Sequence, residues 1–133
     1  MTPGPAVLTA SSKILIVDDL PDMRAALHGI LKDLGFGNTL SANDGSAARR
    51  IVEANRDIAL VISDWNMAPM DGLALLAGLR KDAQLRLVPF ILVSAEAGPY
   101  RKNQAMEAGV SLFLPKPLDA EMLRRALTDI GLM

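Results

Sequence analysis

Cysteine is absent from this chain of 133 residues. Disulfides, thiolate metal sites and a cysteine nucleophile are excluded at once. Aromatic residues are scarce at 4%, with one tryptophan (Trp65) and one tyrosine (Tyr100). A core without them is aliphatic, which suits helices on parallel strands better than a β-sandwich. The single histidine, His28, has no partner motif around it and takes no chemical role. Neither sign of charge dominates: 14 Lys and Arg stand against 15 Asp and Glu, a net charge of −1. No electrostatic footprint for nucleic acid or an anionic membrane surface follows. No apolar run approaches the roughly 20 residues of a membrane span. Met1 to Ser12 lacks the basic start of a signal peptide and carries Pro3, Gly4 and Pro5. Residues 1–12 are therefore expected to form a flexible arm and residues 13–133 one domain, a cytoplasmic monomer.

What the chain has is a recurring alternation. Ile14-Leu15-Ile16-Val17, Ile58 to Ile62 and Phe90 to Val93 are solid apolar runs, as strands covered on both faces require. Weaker runs at Asn38–Ala42 and Val110–Leu114 read as further strands. Between them lie helical patterns. Pro21 opens one carrying Met23, Ala26, Leu27, Ile30, Leu31 and Leu34, and Gly35 stops it. Asn43 or Asp44 caps the next, which Ala47, Ala48, Ile51 and Val52 line. Asp71 caps a third, with Leu73, Leu76 and Leu79 on one side, and Asp119 caps the last, with Met122, Leu123, Ala126, Leu127 and Ile130 inward. Pro99 to Ala108 is a poor helix, polar almost all round. Strict alternation of strand and helix predicts an α/β fold, a doubly wound five-stranded parallel sheet.

Asp18-Asp19, Asp64, Ser94 and Lys116 each end a predicted strand. The C-terminal edge of an open α/β sheet is where ligands bind. Taken singly, each has a bland reading: a helix cap, a loop serine, a surface lysine. Taken together, four strand ends deliver three carboxylates, a hydroxyl and an ammonium to one edge. Clustered carboxylates repel unless a cation joins them, and hard aspartate oxygens suit Mg²⁺. Mg²⁺, Lys and Ser around an aspartate are equipment for a phosphoryl group, which the carboxylate itself can accept.

With these residues placed, the chain resembles a response-regulator receiver domain of the single-domain, chemotaxis type. The similarity runs from Lys13 to the C-terminus. It rests on Val17-Asp18-Asp19, Ile62-Ser63-Asp64-Trp65-Asn66-Met67, Met70-Asp71-Gly72, Ser94-Ala95-Glu96 and Lys116-Pro117. The resemblance implies a flavodoxin-like fold with strand order 2-1-3-4-5. It implies Asp64 as phosphoacceptor, with Ser94 and Lys116 on the phosphoryl oxygens. Mg²⁺ would sit on Asp18, Asp19, Asp64 and the main-chain carbonyl of Asn66. Phe113 stands where the family has a switch aromatic, and Asn66 and Glu96 where it governs water access to the acyl phosphate. The Lys116-Pro117 bond would be cis. Implied partners are a histidine kinase or histidine phosphotransfer protein, and a downstream protein such as the flagellar motor switch. That target would meet the fourth helix, fifth strand and fifth helix. The implied role is signalling in chemotaxis rather than enzymatic turnover.

Departures from the family pattern are Pro69, one place late in Met67-Ala68-Pro69-Met70-Asp71-Gly72, and Pro115 before Lys116. The start of the fourth helix, Gly98-Pro99-Tyr100-Arg101-Lys102, also differs from the lysine-rich motor-binding form. One alternative is a phosphate sink or adaptor without an output partner. Another, a haloacid-dehalogenase-type phosphatase, needs Asp-x-Asp where this chain has Asp64-Trp65-Asn66.

Overall fold

The structure, a computed structural model, describes residues 7–133. Strands β1 (Ile14–Val17), β2 (Thr39–Ala42), β3 (Leu60–Asp64), β4 (Phe90–Ser94) and β5 (Leu112–Pro115) alternate with helices. The helices are α1 (Pro21–Asp33), α2 (Gly45–Ala54), α3 (Gly72–Lys81), α4 (Pro99–Glu107) and α5 (Ala120–Asp129). All strand pairings are parallel, in the order β2-β1-β3-β4-β5. This is the doubly wound sheet that the alternation predicts.

Solid apolar strands split by parity into two cores. Leu15, Val17, Val61, Phe90 and Leu92 face α2 and α3. Ile14, Ile16, Leu60, Ile62, Ile91 and Val93 face α1 and α5. The side chains of Asp44, Asp71 and Asp119 accept from Ala47, Ala74 and Met122 N–H, as N-caps do. Gly35, at φ +100°, ends α1 where the sequence stops it.

Four details depart from the sequence reading. The α3 stripe is Gly72, Leu75, Leu76 and Leu79, with Leu73 only partly buried. The register follows from Gly72, whose backbone packs against β3. Strand β5 begins at Leu112 because Val110 N–H instead donates to Ala105 O, closing the end of α4 around Gly109. The Ala68-Pro69 peptide is cis, as is the expected Lys116-Pro117. Finally, residues 1–6 of the expected arm lie outside the described residues, and the rest of it is anchored. Leu8 is buried in the α1–α5 core and its N–H donates to Leu132 O at 2.8 Å.

Candidate functional site

Strand register assembles the site. Val17 pairs with Ser63, so the residue after each, Asp18 and Asp64, emerge side by side. Asp64 pairs with Val93, which carries Ser94 one step further, and Ser94 pairs with Pro115. Lys116 N–H then donates to Ser94 O at 2.9 Å, fixing the lysine next to the serine. Pro115 costs the ladder nothing, since β5 is an edge strand.

Asp18 and Asp64 are buried, 2% and 8% exposed, whereas Asp19 is exposed. Carboxylate oxygens of the three lie within 4.8 Å of one another. The Lys116 ammonium bridges the buried pair, 3.2 Å from Asp64 Oδ1 and 3.4 Å from Asp18 Oδ2. Asp18 does not cap α1. Its Oδ1 accepts from Leu20 N–H, and the N-cap, Leu20, has no side-chain bond. The other oxygen of Asp18 is thereby left to the site. Arg24 Nη1 holds the Asp18 carbonyl at 2.7 Å from the first helix. Ser94 is fully buried, and its Oγ accepts from Glu96 N–H at 3.0 Å. That contact uses a lone pair and leaves the hydroxyl proton free to donate.

Burial pushes the Asp18 carboxyl above the usual carboxylate range. The Leu20 N–H and the Lys116 ammonium pull it back, and the Asp64 charge pushes it further up. The donor set fits a hard divalent cation: three clustered carboxylates, two of them desolvated, with one ammonium to offset them. A prediction follows for the metal-free protein. Because the folded-state pKa of Asp18 is raised, the fold favours the protonated form. The ionised carboxylate therefore costs stability above that pKa, and the cost disappears as pH falls through it. Asp18→Asn keeps the acceptor for Leu20 N–H and removes the charge. It should raise the metal-free Tm at pH 7, by about 1 kcal/mol of stability, and the gain should shrink at acid pH. It should also weaken stabilisation by added Mg²⁺. Calorimetry with EDTA and with Mg²⁺ checks both; a lower metal-free Tm at pH 7 would contradict the assignment.

Phe113 is half-buried and meets the Trp65 ring edge-on, with centroids 5.7 Å apart and an interplanar angle of 69°. Glu96 and Asn66 flank the site from two loops, and both touch Arg101, which sequence reasoning passed over. A signal for it exists. Pro99 sets the start of α4, so Arg101 falls in the first helical turn, where the helix dipole disfavours a cation unless an anion faces it. His28 lies away from this edge, bonded to Thr39 Oγ1.

Comparison with known proteins agrees with the fold. The family pattern of the response regulator receiver domain matches residues 14–128. Chemotaxis protein CheY-3 of Vibrio cholerae is 39% identical over 125 residues, covering 94% of this chain and 95% of that protein. Chemotaxis protein CheY of Pseudomonas aeruginosa is 38% identical over 118 residues, covering 89% of this chain and 94% of that one. Among solved structures, Vibrio cholerae CheY4 superposes with a TM-score of 0.83 at 29% identity, over 91% of this chain and 99% of that one.

Proposed function

Since the chain belongs to the response-regulator receiver family, alongside CheY-type chemotaxis proteins, we propose that it is a phosphoacceptor switch of a two-component phosphorelay. The observation that carries this reading is the clustering of Asp18, Asp19 and Asp64 with the Lys116 ammonium at one sheet edge. Asp64 is the acceptor. Its carboxylate oxygen attacks phosphorus, the new P–O bond makes an acyl phosphate, and the imidazole of a phosphohistidine on a kinase or phosphotransfer protein leaves with its electron pair. Asp64 lies at the end of the central strand and is the carboxylate nearer to Lys116.

Lys116 is already 3.2 Å from Asp64 and meets a phosphoryl oxygen with little movement. Ser94 donates its free hydroxyl proton to another. Asp18, Asp19, Asp64 and the carbonyl of Asn66 would hold Mg²⁺, which when bound offsets the phosphoryl charge. Asn66 is no proton donor for a leaving alcohol, which weighs against a phosphatase of the Asp-x-Asp kind.

Movement of Ser94 toward the phosphoryl group opens space that Phe113 fills. That aromatic is part of β5 and meets Trp65, so its turning reaches the α4–β5–α5 face, the output surface in this reading. α4 suits the part, since Ala105 is its one buried residue and a weakly anchored helix shifts at low cost. The chemotaxis names of the relatives favour a motility pathway, with the motor switch as downstream target. No described helix is long and apolar enough to cross a membrane.

Acetyl phosphate with Mg²⁺ tests the reading. Intact mass should rise by one phosphoryl group, and EDTA added beforehand should prevent the gain. Equal labelling with and without EDTA would reject the metal-dependent acceptor.

A further inference from the structure

Apart from the buried Ala105, helix α4 is tied to the rest of the molecule through one polar side chain. Among the described residues, Arg101 makes all of the side-chain hydrogen bonds and ion pairs of Pro99–Glu107. Its guanidinium carbon lies 4.4 Å from the centroid of the Trp65 ring. Its Nη2 is 3.2 Å from Glu96 Oε2 and 3.5 Å from Asn66 Oδ1, and its Nη1 is 3.4 Å from the same Asn66 oxygen. One guanidinium thus gathers both loops that frame Asp64: Trp65-Asn66, which follows it directly, and Glu96, which follows Ser94.

The Glu96 pair alone is weak. Glu96 is 70% exposed, and such pairs contribute little in water. The stack on Trp65 changes that. It holds the guanidinium plane in place before either oxygen is engaged, and Arg101 itself is only 23% exposed.

We infer that Arg101 is a positioning residue that prolongs the life of the phosphoryl group on Asp64, by occupying the Asn66 and Glu96 oxygens that would otherwise orient an attacking water. The inference rests on Asp64 being the acceptor. In hydrolysis, the water oxygen forms a bond to phosphorus, the bond from phosphorus to the Asp64 oxygen breaks, and the carboxylate is restored. One water proton ends on the departing phosphate, and hydrogen bonds to nearby acceptors orient the water for attack. Asp18, Asp19 and Asp64 would be committed to the cation, and the Lys116 ammonium has no lone pair to offer, so they do not serve. Asn66 Oδ1 and the Glu96 carboxylate, on the loops that follow Asp64 and Ser94, remain as hydrogen-bond acceptors to orient that water, and Arg101 covers both. A lysine would not do the same, since it has no plane to lay on Trp65 and cannot span two acceptors as a fork.

The experiment uses the full chain. Wild type, Arg101→Ala and Arg101→Lys are phosphorylated with acetyl phosphate and Mg²⁺, freed of donor by desalting, and followed by intact mass. Arg101→Ala should lose its phosphoryl group about tenfold faster, and Arg101→Lys should lie between it and wild type. The acceleration should vanish when Asn66→Ala and Glu96→Ala are added to Arg101→Ala. Mg²⁺ affinity should stay unchanged, whereas metal-free Trp65 emission should shift as the stack is lost. Equal or slower decay in Arg101→Ala overturns the inference, as does acceleration that persists in the triple variant. Failure of wild type to accept phosphate at all would overturn the acceptor assignment instead.

Discussion

Asparagine at position 64 is expected to abolish phosphoryl transfer while leaving the fold intact. The carboxylate oxygen is the nucleophile, and a carboxamide has no charged oxygen to replace it. No neighbour is placed to substitute: Asp18 Oδ1 is bonded to Leu20 N–H, its Oδ2 faces Lys116, and Asp19 is exposed. Labelling of Asp64→Asn with acetyl phosphate and Mg²⁺ should be undetectable by intact mass. The fold should survive because the variant also removes a buried charge that repels Asp18. Lys116 keeps its contact to Asp18 at 3.4 Å. Far-ultraviolet circular dichroism should match wild type, and the Mg²⁺-induced change in Trp65 fluorescence should weaken. A phosphoryl adduct of normal yield in Asp64→Asn would remove Asp64 from the acceptor role.

Alanine at Gly72 should have the largest effect on stability. A Cβ there would lie 2.2 Å from the Asp64 carbonyl oxygen, 2.8 Å from Leu92 Cδ1 and 3.0 Å from Ser63 Oγ. The leucine tip can give way, but the Asp64 carbonyl belongs to a strand paired on both sides by β1 and β4. Gly72 N–H also donates to Trp65 O at 2.9 Å, so α3 cannot simply back away. Relief must come from shifting the start of α3 off the sheet, at a cost of about 3 kcal/mol, or about 10 °C in Tm for a domain of this size. Gly29 is the control. An added Cβ there meets nothing within 4 Å inside α1, so Gly29→Ala should stabilise by about 0.5–1 kcal/mol. Thermal unfolding of both variants checks the contrast; equal midpoints would show that the close approach at Gly72 is easily relaxed. Phosphorylation of Gly72→Ala should also slow, because the atom pushed is the carbonyl of the acceptor residue itself.

Much of the molecule was decided by the sequence alone. Strands covered on both faces need solid apolar runs, so β1, β3 and β4 announce themselves. Aspartates at helix starts announce α2, α3 and α5, because a cap is a bond over three residues. Chemistry at the strand ends was legible for the same reason, since a parallel α/β sheet sends every such end to one edge. The order of the strands came only through family resemblance, and the tertiary structure establishes it. Other features depended on contacts between distant parts of the chain. Leu73 and Leu75 look alike in a local pattern, and only the seat of Gly72 against Asp64 O selects Leu75 for the core. Leu8 reads as part of a polar-flanked arm until Leu132, at the far end of the chain, supplies its hydrogen bond. Asp18 reads equally as a helix cap or a ligand, and its burial beside Lys116 settles where its second oxygen points. Arg101 reads as one more solvated charge on a polar helix, because its partners Trp65 and Asn66 lie on another strand's loop. Periodicity and capping act within a few residues, whereas close approach, desolvation and stacking are set by which segments the completed sheet brings together.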